Sequence, residues 1–168
     1  KLISIFIGYC GIIFSSMSTM FAQSSNKSIV FNQDEIPELT VAPGVRLKEL
    51  TGTNTKPMAT HSTKGSVAYF QLAPGCASPW SYNRVGEETF IIVKGSGFMR
   101  IGSRKESVRV GSFILVPPAA VRSIKAAPQS SLEFYAITAP SWTKEDDVVI
   151  SSSEQAALSD VPPDYRQH

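Results

Sequence analysis

The sequence predicts an all-β fold: a barrel or double-sheet jelly roll of short antiparallel strands. Two observations carry this. From about residue 45 to residue 138, runs rich in β-branched and aromatic residues alternate with Gly, Pro, Ser and Asn, the pattern of many short strands joined by tight turns. No stretch among them repeats its apolar residues at a useful helical period. At 168 residues the chain is long enough for one domain with a proper core and too short for two, once both ends are set aside.

The strands read in order as Val45–Leu50, Ser66–Leu72, Glu88–Val93, Gly97–Ile101, Glu106–Val110, Phe113–Val116, Val121–Lys125 and Leu132–Thr138. Gly95-Ser96-Gly97 and Gly102-Ser103 stand where tight hairpin turns are expected, because glycine reaches positive φ without steric cost.

Four segments follow from this reading. Residues 1–22 read as a secretory signal peptide: Lys1, an apolar run to Phe14, then small polar residues leading to Ala22. Its alternative is an uncleaved membrane anchor, since the stretch from Leu2 to Ala22 carries no charge and could span a bilayer. Residues 23–43 are polar, broken by Pro37 and Pro43, and read as an arm or linker. Residues 44–142 form the barrel. Residues 143–168 form a tail in which Glu154–Leu158 offers one weak helical turn before Pro162-Pro163. With the signal removed the expected location is periplasmic or extracellular, with no remaining membrane association.

Composition narrows the function. A net charge of +2 and 18% charged residues, with no basic block or basic-aromatic alternation, speak against a nucleic-acid partner. Cys10 lies in the signal, leaving Cys76 alone, so the mature chain forms no intramolecular disulfide. Without a neighbouring base Cys76 reads as a small packing residue rather than a nucleophile.

From Val41 to Trp142 the chain resembles a single-domain cupin. The first cupin motif runs Gly, five residues, His-x-His, three or four residues, Glu, six residues, Gly. Gly75, Glu88 and Gly95 fall in that register, and Ser81 and Asn83 stand at the histidine positions. In the second motif Gly111 and Pro117 match, Ala119 stands for a glycine and Arg122 for the last histidine. The resemblance implies a metal held by three histidines and one glutamate, of which only Glu88 is present. Ser and Asn oxygens replace imidazole poorly, and a guanidinium is always charged and has no lone pair to offer. No metal and no other cofactor is therefore expected. His61 and His168 lie outside both motifs, on a loop and at the terminus, where solvent is the ordinary environment.

Side chains repeat every second residue along a strand, so Phe90 and Ile92 share the face of Glu88. The same family register turns Ser81, Asn83 and Arg122 inward. A carboxylate and a guanidinium then meet in the old metal site and pair through two parallel bonds, Arg122 taking the cationic role of the metal. The alternative has Arg122 swung outward and Glu88 solvated at the mouth, since Arg is seldom fully buried.

The expected function is a binding module taking a small polar or anionic molecule, with Ser81, Asn83, Glu88, Arg122, Trp80, Tyr82 and Phe90 as the ligand-binding residues. Trp80 and Tyr82 have a structural alternative as rim or interface packing. A second reading is a metal-independent isomerase or lyase in which Glu88, the best catalytic candidate, acts as general acid or base and Arg122 stabilises an oxyanion. A third holds magnesium or calcium weakly on Glu88, Asn83 and Ser81. A homodimer is expected, with residues 29–43 suited to crossing onto a neighbour.

Overall fold

The computed structural model describes residues 29–53, 60–151 and 153–154. They form one curled sheet of eleven strands. The strands are β1 (Leu39–Ala42), β2 (Val45–Gly52), β3 (Thr60–His61), β4 (Ser66–Leu72), β5 (Ser81–Asn83), β6 (Glu87–Ile101), β7 (Arg104–Arg109), β8 (Phe113–Val116), β9 (Arg122–Ala126), β10 (Leu132–Ala139) and β11 (Asp147–Val149). The main path runs β1-β2-β4-β10-β6-β9-β5-β11, with β7 and β8 also on β6 and β3 on β2. Every pairing is antiparallel except β2 with β3.

Strand alternation builds the core. On β10 Leu132, Phe134, Ala136 and Thr138 are buried and point inward, and β6 answers with Glu88, Phe90 and Ile92. The register sets Phe134 beside Phe70, and their rings stack 5.1 Å apart at 7°. Phe90 meets Phe134 at 5.4 Å and 53°, a tilted contact that the quadrupoles of the two rings favour. Leu72, Ile92, Met99, Ile124 and Leu132 are fully buried members of the same core, each contributing about 1.5–3 kcal/mol by leaving water.

β6 departs from expectation. It runs unbroken through Gly95-Ser96-Gly97, where the sequence suggests a turn between two strands. Its first part pairs with β8 and β10, and its second part with β7 and β9. These glycines serve close approach: a Cβ on Gly95 would strike the Ser131 carbonyl, and one on Gly97 the Lys125 carbonyl. Gly95 also sits at φ 77°, and the bend there carries the strand from one half of the barrel to the other. Gly102-Ser103 is a two-residue turn between β6 and β7, as expected.

The sheet extends past both ends of the anticipated barrel. β1 lies in the expected arm, pairing Leu39 with Leu47 of β2, and β11 lies in the expected tail, pairing with β5. Both are too short to read as strands alone and are held by their neighbours. The arm folds back on its own barrel: Ile36 is buried, Lys48 Nζ donates to the Gln33 carbonyl at 3.2 Å, and Tyr135 Oη donates to Gln33 Oε1 at 2.8 Å. Ser153 and Glu154 are helical; the signal segment, the rest of the expected helical turn and His168 lie outside the described residues.

Candidate functional site

Four strands bring the site together. Ser81 of β5 pairs with Arg122 of β9, and Asn83 of β5 pairs with Asp147 of β11. Glu88 comes from the other half of the barrel, on β6 between Val116 and Thr138. The loop into β9 is a tight turn, Pro117 to Ala120, with Ala120 N donating to the Pro117 carbonyl at 3.3 Å and Ala119 at φ 63°. Proline second and a positive φ third make a type II turn. Ala119 N also donates to the Asn83 carbonyl at 2.7 Å, which ties this turn to β5 and fixes where Arg122 begins.

On the other side Asp146 accepts from the amides of Val85 and Gly86 at 2.8 and 2.9 Å. Gly86 leaves room for that carboxylate, since a Cβ there would lie 2.9 Å from Asp146 Oδ2. The clamp holds the β5–β6 turn and sets the next residue, Asp147, beside Arg122.

Arg122 and Glu88 are buried and paired. Nε donates to Glu88 Oε2 at 2.6 Å, and Nη2 lies 2.5 Å from the same oxygen. The two parallel bonds expected from the sequence are thus replaced by convergence on one oxygen. Nη1 donates to Ser81 Oγ at 2.5 Å and Nη2 to Asn83 Oδ1 at 3.4 Å. Nη1 also lies 3.5 Å from Asp147 Oδ1, which is buried and has no hydrogen-bond partner. Every guanidinium nitrogen is therefore committed to protein oxygens. Burial pushes the Glu88 carboxyl above its ordinary range; Arg122 opposes this by charge and hydrogen bonding, and the Asp147 charge adds to the rise.

Above this cluster lies a cavity of about 360 Å³. Phe70, Phe90, Ile124 and Phe134 form much of its apolar wall, with Leu39 and Val41 of β1 and Trp142 contributing further surface. Ser81, Glu88, Arg122 and Asp147 supply polar atoms, as do Glu49 and Thr51 of β2.

The sequence-derived residues divide accordingly. Ser81, Glu88, Arg122 and Phe90 line the cavity, while Asn83 stands behind Arg122 as a hydrogen-bond acceptor. Trp80 and Tyr82, expected at the mouth, do not line it. They alternate with the inward Ser81 and Asn83, and the Trp80 ring faces Arg100 at 6.0 Å. Sequence reading missed Asp147, Glu49, Trp142 and the β1 residues. The β-branched run Val148-Val149-Ile150 was the available signal for β11.

The donor set does not fit a transition metal. Ser81, Asn83 and Glu88 all turn their oxygens onto the guanidinium, which occupies the centre of the motif positions. A divalent ion there would meet a fixed positive charge. Among the described residues no group of three or more His, Cys, Asp or Glu side chains is arranged to hold a metal ion.

No protein-family model and no curated protein matches the sequence. Solved structures do match. A cupin-2 domain protein, Rru_A2000 from Rhodospirillum rubrum, aligns at 17% identity with a TM-score of 0.60, covering 78% of this chain and 86% of its own. KdgF from Halomonas sp. aligns at 13% identity and 0.59, covering 71% and 98%. Streptomyces Pac13, described as a nucleoside dehydratase, aligns at 18% and 0.58, covering 76% and 98%. The chain has the cupin fold, a β-barrel of jelly-roll type.

Proposed function

We propose that this chain is an exported cupin-fold protein that works without a metal and binds a small molecule in the cavity above the Glu88–Arg122–Asp147 cluster. One observation carries the reading: the guanidinium of Arg122 sits at the centre of the motif positions with its nitrogens on Glu88, Ser81 and Asn83. It does there what a metal ion would do, holding the inward oxygens together, and leaves the cavity free for an organic ligand. A volume of about 360 Å³ with apolar walls and a few convergent polar groups suits a small ligand. The geometry narrows the expected ligand, because Arg122 has no uncommitted nitrogen with which to receive an anion.

The test is thermal unfolding of the purified protein against a panel of small neutral, cationic and anionic compounds. A rise in melting temperature that grows with concentration, without turnover, is expected for at least one class. No response from any class would contradict the reading.

A second reading, a metal-independent enzyme, is favoured by the raised Glu88 carboxyl at the cavity floor, the property a general acid needs. Pac13 carries a dehydratase activity on the same fold. Glu88→Gln would then abolish turnover in a folded protein.

Export and self-association complete the proposal. Residues 1–22 would be absent from protein recovered after secretion, as the mass of the mature chain reports. Phe113 and Leu115 are exposed on β8, which pairs only with β6 among the described strands. Two copies would join at this edge about a two-fold axis, since an antiparallel edge is complementary to itself. Light scattering should return twice the chain mass, and Leu115→Lys half of that.

A further inference from the structure

The second part of β6, with β7 and β9, turns a basic face away from the core. Met99, Val108 and Ile124 are buried on the inner side, so alternation sends Arg100, Lys105, Arg109 and Lys125 outward, and all four are exposed. The single carboxylate on these three segments, Glu106, stands opposite Met99 on the other side and is paired with Arg104. Arg46, Lys48, Lys94, Arg104 and Arg122 each meet a carboxylate at 3.7 Å or less. Among the described residues the four outward cations have no such partner. The sequence shows no basic block because strand pairing gathers residues that are scattered along the chain.

This arrangement has a cost. Arg100 of β6 stands directly opposite Lys105 of β7, and like charges in facing positions destabilise a sheet. Two aromatic rings hold the pair in place: Lys105 Nζ lies 4.1 Å from the centroid of the Phe98 ring, and the Arg100 guanidinium carbon 6.0 Å from that of Trp80. Such contacts position a cation without neutralising it. An external anion would turn the repulsion into attraction.

The spread of the charges says what kind of anion. Phe98 lies between Ser107 and Lys125, with Arg100 and Lys105 to one side of it and Arg109 to the other. The set covers about 10 Å across three strands and about 13 Å along β7. A linear polyanion would follow one row of charges, whereas an anionic bilayer presents headgroups in two dimensions. Half-buried aromatic rings among the cations suit the headgroup layer, where Trp in particular is favoured.

We propose that this face docks the protein on a membrane surface containing anionic lipid, with Arg100, Lys105, Arg109 and Lys125 meeting the headgroups. The proposal departs from the expectation of no membrane association after signal removal, and it is independent of what the cavity binds.

Co-sedimentation of the mature protein with vesicles of phosphatidylcholine, alone or with about a third phosphatidylglycerol, tests it. Partition onto the anionic vesicles should exceed that onto the neutral ones at least about tenfold and should fall away between about 0.1 and about 1 M salt. Arg100→Gln with Lys105→Gln should weaken it about twenty-fivefold, about fivefold for each cation. The same pair of changes relieves the facing charges, so its urea midpoint should not fall. Arg46→Gln with Lys94→Gln removes equal charge from elsewhere on the surface and should weaken partition less than about threefold. Equal binding to neutral vesicles, or equal loss in the two double variants, overturns the proposal. Retention on immobilised dextran sulfate without binding to anionic vesicles also overturns it, and assigns the face to a linear polyanion instead.

Discussion

Arg122 Nε and Nη2 converge on a single oxygen, Oε2 of Glu88, at 2.6 and 2.5 Å. The two residues come from different parts of the barrel: Glu88 from the first part of β6, and Arg122 from β9, which pairs with the last part of that strand. Their contact is therefore a tie across the barrel interior, and it organises Ser81, Asn83 and Asp147 around it.

Removing one partner should cost far more than removing both. Arg122→Met leaves Glu88 buried without its cation and should destabilise the fold by about 3–5 kcal/mol. Adding Glu88→Gln should recover at least about 1 kcal/mol of that, because neighbours in one network do not add independently. Urea unfolding of the two single variants, the double variant and the parent gives the coupling energy. A coupling near zero would mean that the pair is not a structural tie.

The pH dependence has a definite sign. Burial lifts the folded Glu88 carboxyl above its ordinary value of 4.5, so the folded state holds this proton more tightly than the unfolded chain. The stability gained is present in full below the unfolded value and is lost as pH rises through the folded one. The melting temperature of the parent, taken relative to Glu88→Gln, should fall from pH 4 upward and then level. A relative rise over the same range would show that Arg122 outweighs burial.

Ala119→Gly should stabilise the protein. Ala119 is at φ 63° in the type II turn that leads to Arg122. A left-handed residue with a Cβ costs about 1–2 kcal/mol, part of which glycine returns through its greater entropy in the unfolded chain. A net gain of about 0.5–1 kcal/mol is expected from the urea midpoint, with ligand response unchanged.

Gly97→Ala should do the opposite, for reasons of space. A Cβ at this position meets the backbone carbonyl of Lys125 on β9, which cannot move without opening the β6–β9 pairing. A loss of about 3 kcal/mol is expected from urea unfolding. Little or no loss would show that β6 and β9 tolerate a wider spacing.

The motif spacing made the centre of the site legible before the structure, because glycines and a proline at fixed offsets set strand register, and register sets which side chains meet. Ser81, Asn83, Glu88 and Arg122 all follow from it. Trp80 and Tyr82 were misplaced although alternation already forbids them the face that Ser81 and Asn83 occupy. Asp147 was hidden for a different reason. It lies beyond the motifs, after the polar run Thr143-Lys144-Glu145-Asp146, and its strand exists only because β5 offers an edge. The Gly95-Ser96-Gly97 segment misled because glycine answers two needs, a turn or the close approach of another backbone, and composition does not distinguish them.

The central claim is that a guanidinium has replaced the metal. Elemental analysis of the purified mature protein after equilibration with mixed divalent ions tests it, beside the folded variant Ser81→His/Asn83→His/Arg122→His. The parent should retain no stoichiometric metal and the variant about one equivalent, since imidazoles on this register restore suitable donors. One tightly held ion in the parent would contradict the account and show that Arg122 leaves the centre of the barrel in solution.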